Sequence, residues 1–151
     1  MRAPNTLAFK RWFRQSVVLT PEGKPKVVYH GTEKRFRTPV FRPGKYGVYG
    51  AGLYFTDDIQ EAGLYAGSQG LVVPVFLSIQ NPIGLADARD IEQMVGPTGA
   101  AMGREIRSKG FDGIVSGGHY VVYDPRQVKS ALGNRGTFDP KDLNFLNGWS
   151  L

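Results

Sequence analysis

Twenty glycines and ten prolines punctuate this 151-residue chain, and nothing constrains its folding more. Turn formers at that density require many turns and short elements, which excludes a helical bundle. The apolar share of 41%, with 12% aromatic residues, is enough for a real core. The length suits one domain over residues 1–151 rather than two, with an N-terminal helix in residues 1–16 and a polar tail over 133–151. No apolar run approaches the ~18 residues of a membrane span. No secretory leader opens the chain, so a cytoplasmic location, in the producing or the targeted cell, is expected. Cysteine is absent, and the two histidines are His30 and His119, so no metal site is expected. The net charge of +6 suits an anionic ligand and would also suit nucleic acid.

The patterning predicts a mixed α+β domain on short antiparallel strands. Thr6 caps a helix over Leu7 to Gln15 whose pairs Ala8/Trp12 and Phe9/Phe13 share an apolar face. Val17 to Leu19 reads as a strand, and Thr20-Pro21-Glu22-Gly23 as a type I turn. Gly52 to Phe55 is a brief strand, and Thr56 or Asp57 caps a helix to about Ala66. Leu71 to Ile79 reads as a strand buried on both faces, with Pro74 at a bulge or an edge. Helices are predicted over Asp87 to Val95 and Pro97 to Lys109, with Gly110 ending the second. Phe111 to Val115 and Tyr120 to Tyr123 are strands joined by Ser116-Gly117-Gly118, and Gln127 to Leu132 reads as a helical turn. Phe138, Phe145 and Trp149 are the anchors of the tail.

The stretch that draws chemistry together is Val27-Val28-Tyr29-His30-Gly31-Thr32. Its β-branched and aromatic residues predict a strand that ends at His30, after which glycine lets the backbone leave and approach a ligand. Further on, Tyr54 and Tyr65 lie eleven residues apart across a strand-to-helix turn. Two rings so connected can face each other across a slot and stack on a planar aromatic amide. Alone, either tyrosine would pass for a core residue.

These segments, in order, resemble the ADP-ribosyltransferase superfamily of the diphtheria-toxin and poly(ADP-ribose) polymerase type. The similarity is closest to the small bacterial and phage members found in polyvalent proteins and toxins. It rests on Val-Tyr-His-Gly-Thr, Gly-Leu-Tyr-Phe-Thr, the spaced Ala and Tyr of the next helix, Phe-Leu-Ser-Ile-x-Asn-Pro, Phe-Asp-Gly-Ile and Tyr-Val-Val-Tyr-Asp-Pro-x-Gln-Val-Lys-Ser-Ala. It runs from about Phe9 to Phe138. The resemblance implies a split antiparallel sheet with NAD, the substrate, in its cleft. It also implies transfer of ADP-ribose to a macromolecular acceptor with release of nicotinamide. By that match the catalytic residues are His30, Tyr54 and His119, and those holding NAD are His30, Gly31, Thr32, Tyr54, Tyr65 and Arg35. His30 would bond a ribose hydroxyl, Gly31 the carboxamide, and Tyr54 and Tyr65 would sandwich the nicotinamide ring. The resemblance further implies a toxin or effector role and a tight-binding inhibitor protein as a partner.

One position departs from the family. Where it places Glu before the final Tyr-Val-Val strand, this chain has His119. A neutral imidazole supplies no negative charge to offset an oxocarbenium ion. Either His119 orients the substrate itself, or Glu61 or Asp124 replaces the carboxylate, or the domain binds NAD with little catalysis. Asp124 is disfavoured, because its place along the strand puts it on the opposite face and Pro125 assigns it to a turn. Without the Glu, single transfer is favoured over chain extension, and NAD glycohydrolysis is the neighbouring alternative. An RNA 2′-phosphotransferase on the same fold is disfavoured for want of a basic phosphate-binding set. The loop from Glu33 to Ala51 interleaves Lys34, Arg35, Arg37, Arg42 and Lys45 with Phe36, Phe41, Tyr46 and Tyr49. That composition suits an RNA acceptor, the NAD pyrophosphate or an acidic protein surface alike.

Overall fold

The computed structural model describes residues 3–33, 52–84, 89–91, 93, 99–132, 138, 140, 141 and 145. Helix α1 (Leu7–Phe13) starts where the Thr6 hydroxyl accepts from Phe9 N. Strands β1 (Val28–Thr32) and β2 (Leu53–Thr56) precede helix α2 (Ile59–Ala66), strand β3 (Leu71–Leu77) and a short β4 (Pro82–Ile83). Helix α3 (Gly99–Ser108), strands β5 (Gly113–Ser116) and β6 (His119–Val122), a 3-10 turn (Pro125–Gln127) and β7 (Val128–Ser130) follow. The strands form one sheet in the order β4-β5-β6-β2-β1-β3-β7.

Alternation along the strands loads both faces of the sheet. Leu53 and Phe55 of β2 join Tyr120 and Val122 of β6 in one core, with Val28, Val75 and Val128. The intervening Tyr54 and Val121 turn to the other face, where Ile114, Met102 and Ile106 pack. A third cluster seats Phe9, Trp12 and Phe13 of α1 on Phe76 and Phe138. Phe138 and Phe145 are buried, as anchors of the tail should be, and Trp149 lies outside the described residues.

The sheet is the expected split antiparallel one, with a single parallel pair, β4 with β5, at its edge. Beyond the end of β3, Pro82 pairs with Gly113 and continues the sheet. Val17 to Leu19 makes one isolated bridge, Leu19 to Pro25, rather than a strand. β3 is internal, lying between β1 and β7. Pro74 is tolerated because β7 pairing stops at Val75, and beyond it the Pro74 carbonyl accepts from Ala131 N. Of the expected helical turn over Gln127 to Leu132, Gln127 closes the 3-10 turn, while Val128 to Ser130 are β7, because pairing with Val75 to Leu77 extends them. The helix over Asp87 to Val95 is described only in part and is helical at 89–91. Gly110 takes a left-handed φ of 86° just past α3, as a helix terminator does.

The halves of the chain are stitched by side-chain amides and carboxylates of the later motifs. Gln127 Nε2 donates to the carbonyls of Ser78 and Asp112, each at 2.9 Å, while its Oε1 accepts from Tyr123 N and Asp124 N. The Asp112 carboxylate accepts from Gln80 N and Asn81 N, and Asn81 Nδ2 donates to Gly110 O. Gln80 Nε2 in turn donates to Phe13 O, tying α1 to the sheet. Truncating Gln127 would strip partners from four backbone groups at once. Gln127→Ala is expected to lower unfolding stability by about 2–3 kcal/mol, read from the urea midpoint, with an unchanged slope.

Candidate active site

β1 and β2 share one register pair, Tyr29 with Thr56, whereas Val28 to Thr32 pair throughout with β3 and Leu53 to Thr56 with β6. Beyond Tyr29 the two strands part. The His30 imidazole spans the gap, Nδ1 donating to Tyr54 O at 2.8 Å. A carbonyl can only accept, so this bond fixes the proton on Nδ1 and makes Nε2 of the neutral ring an acceptor. Burial holds the His30 pKa below the ordinary imidazole value, and the bond to Tyr54 only partly opposes that.

A cavity of about 450 Å³ opens where the strands part. Register sets its floor in two rows on one face of the sheet: Ile114, Val121 and Tyr54, then Ser116, His119 and Thr56. Its wall is α2, capped by Asp58 rather than Thr56 or Asp57, with the Asp58 carboxylate accepting from Gln60 N and Glu61 N. Ala62 and Ala66 are buried against β1, while Glu61 and Tyr65, one turn apart, line the cavity.

Small residues bring this wall so close. A Cβ on Gly31 would lie 1.8 Å from Ala62 O, and one on Gly70 would lie 2.0 Å from Ala66 O and 2.2 Å from Thr32 O. Gly31 therefore does not release the chain from the strand, which runs on to Thr32. Its missing side chain admits the backbone of α2, and its main chain still borders the cavity.

Of the predicted residues, His30, Gly31, Tyr54, Tyr65 and His119 converge on this one cavity. Thr32 does not line it, and Arg35 with the basic loop lies outside the described residues. Tyr54 is half-buried against the second core, and Tyr65 is 67% exposed at the rim.

His119 does not stand alone. Its Nε2 donates to Glu61 Oε1 at 2.7 Å, bridging β6 to α2. The pairing was hidden in the sequence because 58 positions separate the two residues. Asp124 is spent elsewhere: its carboxylate caps the 3-10 turn and binds Arg126 at 2.7 Å, a pairing that lowers its pKa. Behind His119, Asp57 N donates to Gly118 O, and Lys26 Nζ bonds the Asp57 carboxylate at 2.6 Å and the Tyr120 hydroxyl at 3.2 Å. The bond to Asp57, more than any other effect, raises the Lys26 pKa. Gly118 sits at φ 83° with no room for a Cβ beside Asp57, so the hairpin that presents His119 is tightly held. Thr56 and Ser116 were missed as well, since only pairing register puts them beside His119.

A curled sheet opened between two strands, with a short helix walling the opening, defines an α+β ADP-ribosyltransferase fold. Residues 21–138 match the family of ADP-ribosyltransferases in polyvalent proteins, and the chain belongs to that family. No curated protein and no solved structure matches the chain significantly.

Two outcomes are expected from this geometry. Gly31→Ala must push α2 outward and is expected to cost about 1–3 kcal/mol of stability, measured by urea unfolding. Because His30 has a lower pKa folded than unfolded, the unfolded state binds the proton more tightly. The stability it confers is complete above its unfolded pKa of about 6.5 and is lost as pH falls below that value. Unfolding titrations at pH 5 and 8 should show a smaller difference in His30→Asn than in the parent.

Proposed function

We propose that the domain transfers a single ADP-ribose from NAD to a macromolecule, releasing nicotinamide. The observation that carries this reading is the convergence of His30, Tyr54 and Tyr65 on one cavity between parting strands. Its volume falls in the range of small-molecule pockets. Tyr54 and Tyr65 offer ring faces to a nicotinamide, and the backbone of Gly31 offers bonds to a carboxamide. His30, through its acceptor nitrogen, is suited to a ribose hydroxyl. As the bond from ribose C1′ to the pyridinium nitrogen breaks, its electron pair neutralises the leaving nicotinamide and positive charge gathers on the ribose. The net charge of +6 favours the NAD pyrophosphate at long range. A bacterial or phage effector role, with an inhibitor protein as partner, belongs to the same reading.

Incubation with NAD should release nicotinamide, and Tyr54→Ala and Tyr65→Ala should each slow release about tenfold or more. Full rates in both folded variants would refute these assignments. A second reading, favoured by His119 at the usual carboxylate position, is a domain that binds NAD and turns it over little. It requires a calorimetric NAD signal with no nicotinamide released over hours.

A further inference from the structure

Glu61 comes from the wall of the cavity and His119 from its floor, and their contact has the form of a proton-accepting pair. The carboxylate holds Nε2–H at 2.7 Å, which makes Nδ1 of the neutral ring the acceptor. That nitrogen makes no hydrogen bond to any described residue, and the ring is exposed at the cavity. A carboxylate on one imidazole nitrogen with the other left to take a proton is the arrangement that activates hydroxyl nucleophiles in acyl transfer. It shares the cavity with His30 and Tyr65, where the proposed transfer would need a nucleophile for the ribose.

We propose that His119 is the base that takes the proton from a protein hydroxyl acceptor, and that Glu61 is the positioning residue that holds its ring. The proposal rests on the ADP-ribosyl transfer reading and names the acceptor class. In the step, C1′ loses nicotinamide together with the bonding electron pair, and a lone pair of the acceptor oxygen forms the new C1′–O bond. The acceptor's proton passes to His119 Nδ1, the imidazolium is stabilised by Glu61, and the proton leaves to solvent. An acceptor carboxylate has no proton to lose and would bring a second negative charge beside Glu61. A hydroxyl is a poor nucleophile until its proton is removed, so it is the acceptor that gains from this pair. Beside the cavity, Ile59, Leu64 and Tyr65 of α2 are 51%, 83% and 67% exposed. Exposed apolar side chains at the rim suit contact with a protein segment.

The test is transfer from adenylate-labelled NAD to proteins of a lysate, with NAD affinity measured separately by calorimetry. The label should be removed by protease, resist nuclease, and survive neutral hydroxylamine, which cleaves esters but not ether-type glycosides. His119→Ala should lower the transfer rate about 10²–10⁴-fold with NAD affinity within twofold, and added imidazole should restore part of it. Glu61→Gln should lower kcat at least tenfold without raising KM for NAD, and imidazole should not help it. Label released by hydroxylamine or nuclease, full transfer in either variant, or no imidazole rescue of His119→Ala would overturn the proposal while leaving NAD-dependent transfer standing. A parent protein that neither binds NAD nor releases nicotinamide would overturn the transfer reading itself, and this proposal with it.

Discussion

The close approach of α2 to β1 is the contact on which the rest of the site depends. Two glycines, Gly31 and Gly70, leave no side chain between strand and helix, so carbonyls of Ala62 and Ala66 lie where Cβ atoms would otherwise be. That proximity sets the height of the wall over the sheet and brings Glu61 and Tyr65 to the rim. A helix one side-chain diameter further out would leave His119 on the sheet with nothing to meet. The packing thus decides which side chains can act together, before any question of their chemistry arises.

The family motifs divide into two kinds of work. The first three, around His30, Tyr54 and Tyr65, border the cavity. The later ones supply Ile114 and Val121 of the cavity floor and also hydrogen-bonded joints: Ser78, Gln80, Asn81, Asp112 and Gln127 satisfy backbone groups where the ladder runs out. Short strands leave many such orphan groups, and a domain rich in turns needs polar side chains to satisfy them.

Much of this was legible in the residues. Capping by Thr6, the strand at Val28, the apolar stripe of α1 and the terminator Gly110 all follow local rules, and local rules held there. The cavity residues His30, Tyr54 and Tyr65 could be found because each sits in a contiguous motif. What failed was non-local. Val128 to Ser130 is a strand only because β3 offers it an edge, and Pro82 pairs only because β5 lies alongside. Gly31 was expected to break the strand, yet it serves a helix whose approach cannot be seen in a linear pattern. Glu61 could be suspected as a carboxylate, but its distance to His119 is set by register and helix placement, neither of which the chain states locally.

The contact between Glu61 and His119 has one more consequence. One partner is fastened to β1 through the glycines under α2, and the other to the hairpin clamped by Asp57 and Lys26. These anchors stand on either side of the gap that His30 crosses. The separation of the two side chains is therefore a ruler laid across the mouth of the cleft. Breathing that widens the mouth would lengthen this contact. Nitrogen resonances of the His119 ring then report the width of the opening in solution, on whatever timescale it changes.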